Sequence, residues 1–248
     1  MSSVTVNSRF VEFIRGILQV NSSCILRRED ENGSITCLSG TPDNTTILYG
    51  RCYVSGDFKG VLNILSVDKV IKALERIRSS DNTDLIRFVV NENNIEFQSQ
   101  STRFKYHLID DGILSQPPIN IQKVVGCEYD VCFHVEPLKL QEMLKLSSFA
   151  SDSNKVYIKG TEDGIYAELT DKAKPNIDVA EMKVSDTNVV FDEMPINLDF
   201  FRCLNFNKDS RIIFSINKKI SVIKVDIQSV DYETEGYKLT YITSSLTQ

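Results

Sequence analysis

The chain has 248 residues, 42% hydrophobic and 25% charged, with a formal net charge of −6. At about 150 residues per domain, that length holds one large or two modest domains, each able to bury a core without staples. The composition excludes disordered, collagen-like and disulfide-scaffold chains, no run of about 18 apolar residues is present to span a membrane, and the acidic total counts against a nucleic-acid binder unless the charge is unevenly placed.

In chain order, the polar stretch Met1 to Phe10 lacks the apolar segment of a signal peptide. A first helix is predicted over Ser8–Val20, with Phe10, Phe13, Ile14 and Ile17 at helical spacing. Cys24–Arg28 and Ser34–Leu38 flank Glu31-Asn32-Gly33, a hairpin signal. A second helix over Ser66–Ser79 puts Val67, Val70, Ile71, Leu74 and Ile77 on one face. Leu85–Val90 and Ile95–Ser99 flank Asn91-Glu92-Asn93-Asn94, and they alternate apolar and polar residues as half-buried antiparallel strands do.

Residues 109–127 read as a linker. Asp110-Asp111-Gly112 opens it, Pro117-Pro118 stiffens it as extended chain, and Gly126 closes it. The alternative is an ordinary surface loop, although Ile113, Leu114, Ile119, Ile121, Val124 and Val125 make it unusually apolar. Asp110-Asp111 before glycine reads as a turn rather than as a metal-binding pair. A third helix is predicted over Glu136–Ala150, carrying Leu140, Met143 and Leu144, with Pro137 in its first turn. Lys155–Lys159 and Ile165–Leu169 flank a turn at Glu162-Asp163-Gly164. A fourth helix over Ile196–Asn205 follows Pro195 and carries Phe200, Phe201 and Leu204.

The helix spacing repeats. Ser8 to Pro137 is 129 residues, and Val67 to Ile196 is also 129. Such self-similarity predicts two similar halves, each with two helices and a set of strands. The expected boundaries are an N-terminal domain over 1–108, a connector over 109–127 and a C-terminal domain over 128–248.

The charge is uneven. Taken as 8–20, 66–79, 136–150 and 196–208, the helical segments hold ten bases: Arg9, Arg15, Lys69, Lys72, Arg76, Arg78, Lys139, Lys145, Arg202 and Lys208. They hold six acids: Glu12, Asp68, Glu75, Glu136, Glu142 and Asp199. The segments therefore carry +4 and the remainder −10. Lys69, Lys72 and Arg76 share one face of the second helix, opposite its apolar residues. Such a face is either simply solvated or turned toward phosphates.

Catalytic signatures are missing. No P-loop, GxSxG, HExxH, GxGxxG or DxDxDG pattern occurs, and nothing assembles a nucleophile, a base and an orienting group. His107 and His134 sit at alternate positions of predicted strands and read as structural. Cys24, Cys37, Cys52, Cys127, Cys132 and Cys203 are scattered and read as reduced, mostly buried thiols. Cys127 and Cys132 are too loosely spaced for a zinc site. The Asn-X-Ser/Thr sequons carry no weight without a secretory signal. Neither a metal nor a cofactor is expected.

Two halves of sheet and paired helices, basic on the helices and acidic elsewhere, resemble the DNA polymerase sliding clamps, or processivity factors. The likeness is to those of T-even-type bacteriophages. It is carried by Phe58-Lys59-Gly60-Val61-Leu62-Asn63-Ile64-Leu65 running into the second helix, and by Glu136–Phe149 followed by Val156-Tyr157-Ile158-Lys159-Gly160. The proline-containing connector and the last strand, Lys238-Leu239-Thr240-Tyr241-Ile242, resemble those of clamps as well. Thr243–Gln248 then ends the chain without the acidic tail that some clamps carry.

The resemblance implies an α+β duplicated clamp fold, with two similar domains that each set two inner helices against antiparallel sheets. It implies a homotrimeric, pseudo-six-fold ring around double-stranded DNA that tethers the replicative DNA polymerase without being an enzyme. An ATP-driven clamp loader is an implied partner, a membrane is not, and the implied location is the cytoplasm of an infected bacterial host. The implied DNA-facing residues are Arg9, Arg15, Lys69, Lys72, Arg76, Lys139, Lys145, Arg202 and Lys208. The implied partner-peptide pocket is Ile113, Leu114, Ile119, Ile121 and Tyr241, the alternative being that these residues only hold the connector to its sheet. Edge strands would form the subunit joint, with Arg103 and Lys105 of Thr102–Leu108 opposite Asp178 and Glu181 of Ile177–Val184. The alternatives are a β-rich viral structural or adaptor protein that encircles no DNA, and a hydrolase with an unrecognised site.

Overall fold

The computed structural model describes residues 2–29, 33–99, 101–234 and 236–246. The chain forms two compact units, Met1–Ile121 with Gln228–Thr240, and Gln122–Ile227 with Tyr241–Gln248.

The first unit runs β1 (Ser2–Val6), α1 (Ser8–Val20), β2 (Cys24–Arg28), β3 (Ser34–Gly40), β4 (Thr46–Tyr53), β5 (Gly60–Ile64), α2 (Val67–Asp81), β6 (Ile86–Val90), β7 (Asn94–Gln98) and β8 (Arg103–His107). A short helix, α3 (Ile121–Val125), closes the connector. The second unit runs β9 (Val131–Val135), α4 (Pro137–Leu146), β10 (Lys155–Thr161), β11 (Gly164–Leu169), β12 (Ala180–Ser185), β13 (Phe191–Asn197), α5 (Leu198–Arg202), β14 (Arg211–Asn217) and β15 (Val222–Gln228). The last strand, β16 (Tyr237–Ser244), begins in the first unit and ends in the second.

Each half therefore repeats strand–helix–strand–strand–strand twice. The halves align closely: β1 and β9 start 129 residues apart, as do α1 and α4, while α2 and α5 start 131 apart. The sheets repeat too. The first unit holds β1-β6-β7-β8 and β5-β2-β3-β4, and Tyr237–Thr240 of β16 lies along β4, where the Tyr53 amide donates to the Gly236 carbonyl at 3.0 Å. The second holds β12-β11-β10-β13 and β15-β14-β9. Every described register is antiparallel.

Local chemistry explains the helices. The Asn7 side chain accepts from the amides of Arg9 and Phe10 and so caps α1. Asn82 ends α2 in the left-handed conformation at φ 47°, which asparagine tolerates better than most residues. Pro137 opens α4, where its missing N–H costs nothing.

Two helices are shorter than the spacing predicts. The Ser147 hydroxyl donates to the Leu144 carbonyl at 2.6 Å and that of Ser148 to the Lys145 carbonyl at 2.8 Å, so α4 ends at Leu146 rather than Ala150. The fourth helix is only Leu198–Arg202. Pro195 and Ile196 pair with Tyr157 and Val156 as part of β13, and Asn197 caps from there. A proline fits because β13 is a sheet edge. Lys208, placed on this helix by the sequence, lies in the turn beyond it. Counted on the helices as they form, α1, α2, α4 and α5 hold nine bases and six acids, a surplus of three rather than four.

The Asn91–Asn94 and Glu162–Gly164 turns join β6 to β7 and β10 to β11 as expected. The strands β2 and β3 pair, but Glu31 and Asn32 of their predicted turn lie outside the described residues. The cysteines are less hidden than predicted: Cys24, Cys37 and Cys52 are buried, Cys127 and Cys203 half-buried, and Cys132 exposed on β9.

Each unit has its own core. In the first, Phe13, Ile14 and Ile17 of α1 pack with Leu74 and Ile77 of α2, all at most 1% exposed. Gly50 of β4 lets α1 lie close against the sheet, since a Cβ there would lie 2.6 Å from the Phe13 ring. In the second, Phe133 stacks on Phe214 at 5.3 Å, with Phe201 6.2 Å beyond. Each such ring contributes about 1.5–3 kcal/mol on burial.

Candidate DNA-facing helices, connector and sheet edges

In the first unit, Lys69, Lys72 and Arg76 are exposed along one side of α2, opposite the buried Val70, Ile71, Leu74 and Ile77. Carboxylates hold many of the helix bases. Lys72 Nζ lies 2.6 Å from Asp68, and Arg15 bridges the two helices, bonding Glu12 at 2.7 Å on its own helix and Glu75 on α2. The Glu75 bond raises the Arg15 pKa further above its ordinary value, against partial burial. Arg9 Nε reaches Asp231 at 3.0 Å, and Arg78 reaches Asp84 at 2.9 Å.

In the second unit, Lys139 pairs with Glu142 at 3.3 Å on α4, and Arg202 with Asp199 at 2.8 Å on α5. Six of the nine helix bases are thus paired. Lys69, Arg76 and Lys145 have no carboxylate within 4.0 Å among the described residues, nor has Lys208 beyond α5. Sequence spacing exposes the i,i+3 and i,i+4 partners, but gives no sign of Asp231, 222 residues from Arg9.

The connector is fastened at several points. Within the first unit, Asn63 Nδ2 donates to the Ile109 carbonyl at 3.2 Å and to the Asp111 carboxylate at 2.7 Å. Pro117 packs so closely on Gly40 that a Cβ there would lie 2.8 Å from its Cγ. Within the second unit, the Tyr129 hydroxyl donates to the Val124 carbonyl at 2.8 Å, and Lys224 Nζ sits 4.4 Å from the centre of the Tyr129 ring. Ile113 stands out at 63% exposed, while Leu114, Ile119 and Ile121 are half-buried. Tyr241 is fully buried and its hydroxyl accepts from the Asn205 amide at 3.1 Å, so its ring presents no surface to a ligand. Asn63 and Tyr129 carry no sequence signal as connector anchors, because their partners are backbone carbonyls and a distant carboxylate.

Arg103 and Lys105 lie on the exposed face of β8, which ends the sheet β1-β6-β7-β8. Lys105 Nζ is 3.0 Å from Glu96, whereas Arg103 has no ion pair among the described residues. Glu181 lies on β12, which ends the sheet β12-β11-β10-β13, and Asp178 is exposed just ahead of it. Lys159 of β10 bonds Glu181. His134 is exposed on β9 and accepts from Arg211 Nε at 3.1 Å. Partial burial, then the Arg211 charge, lower its pKa.

Among the described residues, no group of three or more His, Cys, Asp or Glu could hold a metal ion, and no helix is long and apolar enough to cross a membrane.

No protein-family model matches the sequence, and no curated protein does either. Solved structures do. The PCNA of A. fulgidus bound to the C-terminal region of FEN-1 aligns over 100% of this chain and 99% of its own, with a TM-score of 0.75 at 14% identity. A PCNA2–PCNA3 complex from Sulfolobus tokodaii aligns over 98% of both chains, with a TM-score of 0.69 at 11% identity. The Helicobacter pylori β clamp bound to a DNA ligase peptide aligns over 100% of this chain, with a TM-score of 0.66 at 15% identity. This chain spans 66% of that clamp's length. At these identities the likeness defines the fold: an α+β duplicated clamp fold with antiparallel sheets.

Proposed function

We propose that this chain is a sliding clamp, three copies of which close into a ring of six similar units around duplex DNA and tether a replicative DNA polymerase. It catalyses no reaction; its effect is to keep an enzyme on its template. The observation that carries this reading is the state of the sheet edges in a repeated fold. In the first unit, β16 covers the edge of β4. By repeat order the equivalent of β4 is β12, and that of β16 is β8; each of these ends its sheet. Pairing β8 of one copy with β12 of the next remakes the junction that the chain already makes once. Such head-to-tail joints close into rings when the rotation between copies closes, and they hide edges that otherwise aggregate.

The helix charges suit sliding. A protein that grips phosphates gains salt-sensitive affinity, with a slope of about −0.9 per phosphate neutralised. Here Lys69, Arg76 and Lys145 are left to supply a weak, sequence-blind field, while the acidic remainder discourages binding elsewhere. Encirclement then supplies the retention that affinity does not.

The connector residues Ile113, Leu114, Ile119 and Ile121 are the partner-peptide surface. A few apolar anchors suffice for a short peptide. The complexes of A. fulgidus PCNA with a FEN-1 segment and of the H. pylori clamp with a ligase peptide support docking of this kind. Closed rings need opening, so an ATP-driven loader belongs to the same reading. So do the T-even-type phage origin and the infected-cell cytoplasm, which rest on the sequence resemblance.

Sedimentation and negative-stain imaging test the reading together. The expected particle has three times the 28.1 kDa chain mass and a duplex-sized hole, and it stays on nicked circular DNA but leaves linear DNA. A compact monomer without a hole refutes the ring and leaves the β-rich adaptor reading.

A further inference from the structure

Besides the shorter helices of the second unit, the two units differ in burial at a place where the repeat predicts sameness. With α4 offset from α1 by 129 residues, Leu146 occupies the position of Ile17, and Phe149, in the turn that follows the earlier end of α4, is the residue 129 beyond Val20. Buried Leu26, Cys37 and Gly50 pair in a row across β2, β3 and β4, and Ile158, Ala167 and Met182 pair in a row across β10, β11 and β12, so by sheet register Met182 is the counterpart of Gly50. In the first unit Ile17, Val20 and Gly50 are all buried, and Leu239 of β16 comes within 3.3 Å of the place a Gly50 Cβ would occupy. In the second unit the same three positions line an open groove between α4 and β12. Leu146 and Met182 are half-buried there, and Phe149 is 61% exposed.

The groove therefore has the form of the first unit's core with one covering strand missing. A solitary exposed phenylalanine needs no explanation; one at a position that the repeat buries, beside an unpaired sheet edge, does. The geometry points to Phe149 as the aromatic anchor of the joint between copies, seated against β8 of a second copy of this chain. The β8 strand brings a matching side chain: Phe104 is half-buried at the end of its sheet and stacks on Tyr106 at 6.4 Å. Interface energy concentrates in such central aromatics, while rim charges set register and rate. This inference rests on the ring reading and adds the side chain that does most to hold the ring together.

The test is sedimentation velocity over a concentration series, on the full chain. Phe149→Asp is expected to weaken self-association at least tenfold, and Phe104→Asp to do the same from the other side. Phe149→Leu, which keeps an apolar contact, stays within about threefold of wild type. Val230→Asp serves as the control: Val230 is 77% exposed and belongs to neither β8 nor the groove, so it leaves association unchanged. Far-ultraviolet dichroism and melting check that each variant is folded, as expected for Phe149, which is mostly in solvent; Phe104 is half-buried on Tyr106, so the Phe149 variants decide. If wild type assembles and folded Phe149→Asp assembles equally well, the anchor is refuted and the ring stands. If wild type stays monomeric throughout, the ring reading fails and the anchor with it.

Discussion

Lys69 and Lys72 sit three residues apart on one exposed helix face, yet among the described residues Lys72 has a carboxylate beside it, that of Asp68 at 2.6 Å, and Lys69 has none within 4.0 Å. Removing Lys72 and Asp68 together by alanine is expected to leave the salt dependence of DNA binding nearly unchanged. Removing Lys69 and Arg76 reduces the slope by up to about 0.9 per lost phosphate contact in each chain. Salt titrations of binding to a nicked duplex read the difference; equal slopes for the two double variants refute the division. A second residue-scale prediction concerns Asp171, which accepts from Lys155 Nζ at 2.9 Å. That hydrogen bond, against some desolvation, holds the Asp171 pKa below the ordinary aspartate value. A carboxyl whose folded pKa is depressed stabilises the fold above its unfolded value, about 3.9, and loses that contribution as pH falls through the folded value. Melting midpoints of Asp171→Asn should therefore fall below wild type at neutral pH and converge with it in acid, and a constant gap down to low pH refutes this.

At the scale of elements, the connector is held rather than free. Asn63→Ala deletes the hydrogen bonds to the half-buried Ile109 carbonyl and the exposed Asp111 carboxylate, at a cost of about 0.5–1.5 kcal/mol. The expected outcome is faster proteolysis within residues 110–118 with the melting midpoint lowered by no more than about 2–4 °C, and unchanged cleavage refutes the anchoring role. The sequence showed this segment as a proline-stiffened, apolar stretch, because turn residues and proline act locally. It did not show α3 or the anchors, because these depend on partners tens of residues away. The same contrast governs the helices. Ser8–Val20 appears in the structure with its predicted bounds, since its capping and periodicity are local. The predicted fourth helix loses Pro195 and Ile196 to β13 because sheet pairing with β10 outweighs helical spacing.

For the whole molecule, the prediction concerns the joint between copies. Lys105 is already engaged by Glu96, so among the described residues Arg103 is the base of β8 without an ion pair. Arg103→Glu should weaken self-association severalfold, and adding Asp178→Arg should restore it if the two strands face each other across the joint. Sedimentation of the single and double variants checks this, and an unrestored double variant refutes the pairing of these two charges. Rim charges act mainly on rate and register, so the effect is expected to be smaller than that of Phe149→Asp.

By itself the sequence determined the repeat, the strands and helices with local signals, and the uneven charge that turned an acidic total into basic helices. These follow from periodicity, turn chemistry and counting, which need no knowledge of distant neighbours. Only the tertiary structure decided which bases remain unpaired, that Tyr241 is sealed in the core, and that β8 and β12 end their sheets. It also showed that α4 stops short, leaving Phe149 open in the turn beyond it while Val20 at the end of α1 is buried. Each of these depends on residues brought together from far apart in the chain, and pairing, burial and edge status exist only once the sheets have formed.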